Sequence, residues 1–141
     1  MTDTVRLEMT TEQATAVTAA LDLANRIALG QIGEIAVLAQ TGQLFARDDH
    51  APGGSRAPTS DEIEDIRIKC IEIARILGHR GGSFGVGSSG ITVEARRGYE
   101  VMKAIQKAVA DHVAPGGRTV RHDGVTVRYT QDPAPTASIV R

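Results

Sequence analysis

The chain has 141 residues, of which 41% are apolar and 23% charged, with a formal net charge of -1. That length predicts one domain over residues 1–141, able to bury roughly 70% of its unfolded surface without staples. The near-neutral charge excludes a chain-wide basic field for duplex nucleic acid, and a single cysteine, Cys70, excludes a disulfide framework and a cysteine-based zinc site.

Aromatic residues are 3% of the chain: Phe45, Phe84, Tyr99 and Tyr129, with no tryptophan. A core so poor in rings is built from Ile, Val, Leu and Ala, so each ring is worth locating. Of the 16 basic residues only Lys69, Lys103 and Lys107 are lysine. Arginine is the better bidentate phosphate ligand, although a GC-rich genome gives the same bias. No signal peptide and no apolar run of membrane length is seen, so the expectation is a cytoplasmic protein with no membrane partner.

Val5 to Met9 alternates apolar and polar residues, which predicts a short strand with Val5, Leu7 and Met9 on one face. Thr10 and Gln13 form a capping-box pattern, so a helix begins near Thr11. Its apolar positions run from Ala14 through Val17, Leu21, Ala24, Ala28, Ile32 and Ile35 to Leu38. Steps of three and four make a seam of about seven turns. Gly30 and Gly33 interrupt it, either kinking the helix or admitting another backbone. A helix that long in a small domain suits packing against a second subunit.

Residues 43–58 are rich in Gly, Pro, Asp and Ser and read as a mobile loop. Thr59 and Glu62 form a second capping box. The helix after it carries Ile63, Ile66, Cys70, Ile73, Ala74 and Leu77 on one face, with Ile68, Ile71 and Ile76 as a second apolar flank. It reads as buried on two sides and stopped by Gly78. Residues 78–90 contain six glycines in thirteen positions, a connection and not a regular element. Thr92 caps a further helix, Val93 to Val113, with Tyr99, Met102, Ile105, Val109 and Val113 as its stripe. Pro115, Gly116 and Gly117 end it. Thr119–His122 and Val125–Tyr129, joined by Asp123-Gly124, then read as a hairpin, and Ser138-Ile139-Val140 as an edge strand. The fold class expected is α+β: three main helices with a small antiparallel sheet made of the N-terminal strand and the C-terminal hairpin.

Four groups of residues could carry chemistry. Gly85-Val86-Gly87-Ser88-Ser89-Gly90 matches GxGxxG, but a helix precedes it, so the dinucleotide reading fails; Ile91 stands where a phosphate loop needs lysine. What survives is a glycine-rich turn leading into a helix, which offers amides to an anion, against a plain connection between helices. Phe84 within that turn either plugs the core or presents a face to a nucleobase. Arg121 and Arg128 lie on opposite strands of the hairpin, with Arg118 before it; they form a solvated face or a phosphate fork. Arg26 lies near the apolar seam, where it pairs with Asp22 or Glu34 or points into a pocket. Enzyme signatures are missing. His50, His79, His112 and His122 are scattered, Cys70 sits among isoleucines, and Asp48-Asp49-His50 is a weak metal pattern. No catalytic residue, metal ligand or cofactor is assigned.

Segments in order then carry a likeness. Asn25-Arg26-Ile27-Ala28-Leu29-Gly30-Gln31-Ile32 resembles the first-helix motif of a group of small phage proteins, and Gly82-Ser83-Phe84-Gly85-Val86 resembles their glycine-aromatic loop. Glu94-Ala95-Arg96-Arg97-Gly98-Tyr99-Glu100-Val101 is similar to their third-helix motif, and Val127-Arg128-Tyr129 before Pro133 and Pro135 to their ending. Excluding the 43–58 loop, the chain resembles the phage anti-Thoeris sponge family. The resemblance implies a non-enzymatic protein that sequesters a cyclic ADP-ribose isomer, with cyclic oligonucleotides at a separate site in some members. It also implies a homo-oligomer, a dimer or an assembly of dimers such as a hexamer, with pockets at subunit interfaces in the host cytoplasm. By motif, Phe84 would stack on the base. Gly82, Ser83 and Gly85 would approach the phosphates, and Arg128, with Arg118 or Arg121, would neutralise them. Arg26 and Tyr99 would be wall residues. Gly81, where an asparagine is often seen, and Gly98 before Tyr99 depart from the pattern. The alternative is an oligomeric assembly or interaction protein with no nucleotide ligand.

Overall fold

The computed structural model describes residues 5–79, 82–113, 130–131 and 136–139. Among them are four helices and one two-stranded antiparallel sheet, an α+β arrangement: α1 (Thr11–Ala28), α2 (Glu34–Gln40), β1 (Ala46–Arg47), β2 (Ser55–Arg56), α3 (Ser60–Ile76) and α4 (Val93–Val113). They cluster into two compact units, one of Met1–Asn25 with Ile91–Arg141 and the other of Arg26–Gly90. No helix among the described residues is long and apolar enough to cross a membrane.

The helix starts follow the capping chemistry read from the sequence. The Thr10 amide donates to Gln13 Oε1 at 2.8 Å, and the Gln13 amide returns to Thr10 Oγ1 at 3.2 Å. Thr59 and Glu62 exchange the same pair at the start of α3, at 2.8 and 3.3 Å. At α4 the Ala95 amide donates to Thr92 Oγ1 at 3.2 Å. Each bond satisfies an amide that the first helical turn leaves without an acceptor.

The helix stops follow glycine. Gly30 has φ +90° and Gly78 φ +84°, the left-handed conformation in which a side chain is costly. At the first stop the Gly30 amide donates to the Ile27 carbonyl at 2.9 Å and the Gln31 amide to the Arg26 carbonyl at 2.8 Å. At the second, Gly78 donates to Arg75 at 3.0 Å and His79 to Ala74 at 2.8 Å. Both are Schellman ends. The single seven-turn helix expected from the apolar seam is therefore two helices, α1 and α2, separated by a turn. The seam keeps its spacing across the break, so periodicity alone does not reveal it.

Val5 to Met9 is not a strand: Val5 and Leu7 are exposed and no described residue pairs with the segment. Alternation sets which face is apolar, but a strand also needs a ladder partner. Ser138 and Ile139 are likewise outside any strand. The hairpin expected at Thr119–Tyr129, with Arg118, Arg121 and Arg128, lies outside the described residues, as does Val140.

The 43–58 segment, expected as a mobile loop, holds the one sheet among the described residues. Ala46 pairs with Arg56 and Arg47 with Ser55. Arg56 fixes it to α3: its guanidinium meets the two Glu62 oxygens at 2.7 Å each and stands 3.5 Å from Asp48. The bidentate bond from Arg56, with the bond from the Thr59 amide, lowers the Glu62 carboxyl to about 2.

In the first unit the buried residues include Ala14, Thr18 and Asn25 on α1 and Glu100 and Met102 on α4. Gly98 faces α1, where a Cβ would make ordinary contacts at 3.5 Å from Asn25 Oδ1 and 3.6 Å from Leu21 Cδ2. Glu100 is only 3% exposed, yet accepts from the Thr130 amide at 2.8 Å and its hydroxyl at 2.9 Å. In the second unit Leu29, Ile32, Ala36, Ala39 and Cys70 are buried, and α2 packs on α3. The expectation that α3 is buried on two sides does not hold among the described residues. Cys70 is buried, but Ile68, Ile71, Ile73, Ile76 and Leu77 are exposed. One short helix, α2, cannot cover both flanks.

Candidate functional site

The Arg26–Gly90 unit places Phe84 beside the turn that ends α1. Gly30 stops the helix and leaves the Leu29 carbonyl pointing out of it. That carbonyl accepts from the Phe84 amide at 2.8 Å, which ties the glycine-rich loop to the helix end. His79, directly after the stop of α3, meets the Phe84 ring edge-on with centroids 5.1 Å apart at 80°. The same imidazole lies against Gly30, where it occupies the space a Cβ would need. Gly90 also approaches the ring, since a Cβ there would lie 2.8 Å from Phe84 Cζ. The ring is thus held by the backbone bond, by His79 and by Gly90, while the residue stays 41% exposed.

A polar chain runs from this loop. Gln31 Nε2 donates to Ser83 Oγ at 3.4 Å, and Gln31 Oε1 accepts from Arg26 Nη1 at 3.3 Å. Arg26 also donates to Glu34 Oε1 at 3.3 Å, one of the pairings read from the sequence. These bonds are long, and both ends of the pair are partly exposed, so the network can rearrange at modest cost. With Glu34 in place, however, Arg26 is no free cation for a phosphate.

The loop backbone is only partly available to a ligand. The amides of Phe84, Ser88 and Gly90 are engaged, with the Leu29 carbonyl, the Gly85 carbonyl at 2.9 Å and Ser88 Oγ at 3.1 Å respectively. Those of Ser83, Gly85, Val86 and Gly87 have no acceptor among the described residues.

Of the residues expected to form the site, Arg26, Ser83 and Phe84 come together through Gln31 and Leu29, with Gly82 and Gly85 flanking Phe84. Tyr99 belongs to the other unit, where Lys103 Nζ stands 5.3 Å from its ring centroid. Arg118, Arg121 and Arg128 lie outside the described residues. Sequence reasoning missed Gln31, His79 and Gly90 as members of the cluster. The signal for His79 was its position immediately after a helix-stopping glycine; Gly90 gave none, because its role is to be small next to a ring.

No three-residue cluster of His, Cys, Asp or Glu suited to a metal occurs among the described residues. Asp49 accepts from Arg47 at 2.9 Å, and Asp48 accepts from the His50 amide at 3.0 Å and faces Arg56, so both carboxylates already have partners. No family model matches the chain, and neither a curated protein nor a solved structure matches it.

Proposed function

We propose that the chain binds and sequesters a small cyclic nucleotide without turning it over, with Phe84 as the stacking face. The observation that carries this reading is the setting of Phe84: its amide is bonded to Leu29 and its ring lies against His79 and Gly90, yet the residue is 41% exposed. A core plug would be covered, and a mere linker residue would not be held. A rigid exposed ring is preorganised for a base. The four uncommitted amides around it supply donors suited to an anion.

The likeness of the motifs to the anti-Thoeris sponge family supports glycocyclic ADP-ribose as the ligand class, with cyclic oligonucleotides as a second class relevant to CBASS defence. In this reading Arg118, Arg121 and Arg128 neutralise the phosphates, and Arg26 joins them once Glu34 gives way. Tyr99 is a wall residue. The pockets sit at subunit interfaces of a homo-oligomer in the host cytoplasm.

Mass spectrometry of small molecules released by denaturing the purified protein is expected to return an intact cyclic nucleotide. Calorimetry with cyclic ADP-ribose isomers then gives tight binding that Phe84→Ala weakens by roughly tenfold to a hundredfold, the loss of one stacked base. Phe84→Tyr keeps most of it. Binding of no cyclic nucleotide, an unchanged affinity in Phe84→Ala, or recovery of a cleaved ligand overturns the proposal.

A further inference from the structure

Helix α3 carries a seam that no part of the described chain covers. Glu64, Ile68, Ile71 and Arg75 are spaced by four, three and four residues, so they share one face of the helix. Ile68 is 46% exposed and Ile71 48% exposed, whereas Cys70, on the side away from this seam, is buried. A pair of half-exposed isoleucines at the middle of a helix is a costly thing to leave in water. The charges around them are ordered. Glu64 at the N-terminal end accepts from Arg67 at 2.7 Å, and Arg75 at the C-terminal end has no ion-pair partner among the described residues.

The seam reads Glu-Ile-Ile-Arg in one direction and Arg-Ile-Ile-Glu in the other. Its midpoint falls between Ile68 and Ile71, with Glu64 and Arg75 equally far to either side. A second copy laid antiparallel about that midpoint sets isoleucine on isoleucine and carboxylate on guanidinium in every layer. A parallel copy sets Glu64 on Glu64 and Arg75 on Arg75. An isologous two-fold contact requires this kind of self-complementarity. The geometry points to one occupant: we propose that α3 pairs antiparallel with α3 of a second copy of this chain. Ile68 meets the partner's Ile71, and Glu64 meets the partner's Arg75.

The pairing uses no residue of the Phe84 cluster, and so stands or falls independently of the ligand. Two apolar layers flanked by ion pairs make a small contact, expected to be reversible and weakened by salt. Sedimentation velocity of the full chain over a range of concentrations tests it. The wild-type chain is expected to associate in a concentration-dependent step. Glu64→Arg alone leaves two positive ends on the seam and Arg75→Glu alone two negative ones; each raises the dissociation constant of that step by about tenfold or more. Both positions are exposed, and circular dichroism verifies that helix content is unchanged. An equimolar mixture of the two variants restores the pairing, because one seam is now positive at both ends and the other negative at both. Misfolded chains would not be rescued in this way. A wild-type chain that stays monomeric, single variants that associate as the wild type does, or a mixture that fails to recover the pairing overturns the proposal.

Discussion

Gly30 and Gly33 sit three residues apart in the turn after α1, yet they answer to different demands. Gly30 has φ +90° and faces the His79 ring where a Cβ would go, while Gly33 has φ -58° and open space around its Cα. Gly30→Ala is therefore expected to lower stability by about 1–2 kcal/mol from the left-handed backbone alone, with more from displacing His79. Gly33→Ala is expected to be neutral or to stabilise by about 0.5 kcal/mol, since it restricts only the unfolded chain. Urea unfolding of the two variants side by side decides the point, and equal effects would contradict it. Both glycines were visible in the sequence as interruptions of an apolar seam. Which one ends the helix was not, because the seam spacing is the same on either side. The fixed ring of Phe84 was half legible in the same sense: its place between glycines excluded ordinary periodicity, but the grip of His79 and Gly90 depends on two loops meeting, and no local pattern encodes that.

At the scale of elements, helix starts were legible because caps are local. Thr10, Thr59 and Thr92 each bond to an amide three residues on, and that spacing is written in the sequence. Partners of elements were not legible. The isoleucines of α3 state that its flanks are apolar but not whether this chain supplies a cover, and α2 supplies it on one side only. The small sheet was hidden for a related reason: what holds it is the Arg56 guanidinium reaching Glu62 from six residues away, not strand propensity. That contact has a pH signature. The Arg56 bond, followed by the Thr59 amide, lowers the Glu62 carboxyl from the ordinary 4.5 to about 2 in the folded chain. A carboxyl depressed by folding contributes stability that is present above its unfolded value and lost as pH falls toward its folded one. The wild-type urea midpoint is thus expected to fall between about pH 4.5 and pH 2 by more than that of Glu62→Gln, with the two curves running parallel above that window. Curves parallel across the whole range would mean that Arg56 does not hold Glu62 in solution.

At the scale of the whole molecule, a near-neutral chain with four rings reads as an Ile, Val, Leu and Ala globule whose polar residues lie outside. Thr18, Asn25 and Glu100 depart from that picture, and Glu100 is the charged one among them. It occupies a buried position on α4, next to Tyr99, and nothing in the local pattern distinguishes it from a surface glutamate of the same helix. A contact thirty residues away in sequence serves it there: the amide and hydroxyl of Thr130 both donate to it, at 2.8 and 2.9 Å. A buried carboxylate is tolerated only where such donors replace water. Loop closure over that span costs a few kcal/mol of chain entropy, so the two charge-assisted bonds offset much of what is needed to bring residue 130 back to the helix. Glu100→Ala removes both acceptors and leaves a cavity, and is expected to lower stability by about 2–3 kcal/mol. Thr130→Val removes only the hydroxyl and keeps the amide bond, and is expected to cost about 1 kcal/mol. The two losses share one contact, so the double variant should fall short of their sum by about the Thr130→Val value. Thermal unfolding of the three variants measures this coupling. Strict additivity would show that the Thr130 hydroxyl does not act through Glu100 and that residue 130 returns to α4 for some other reason.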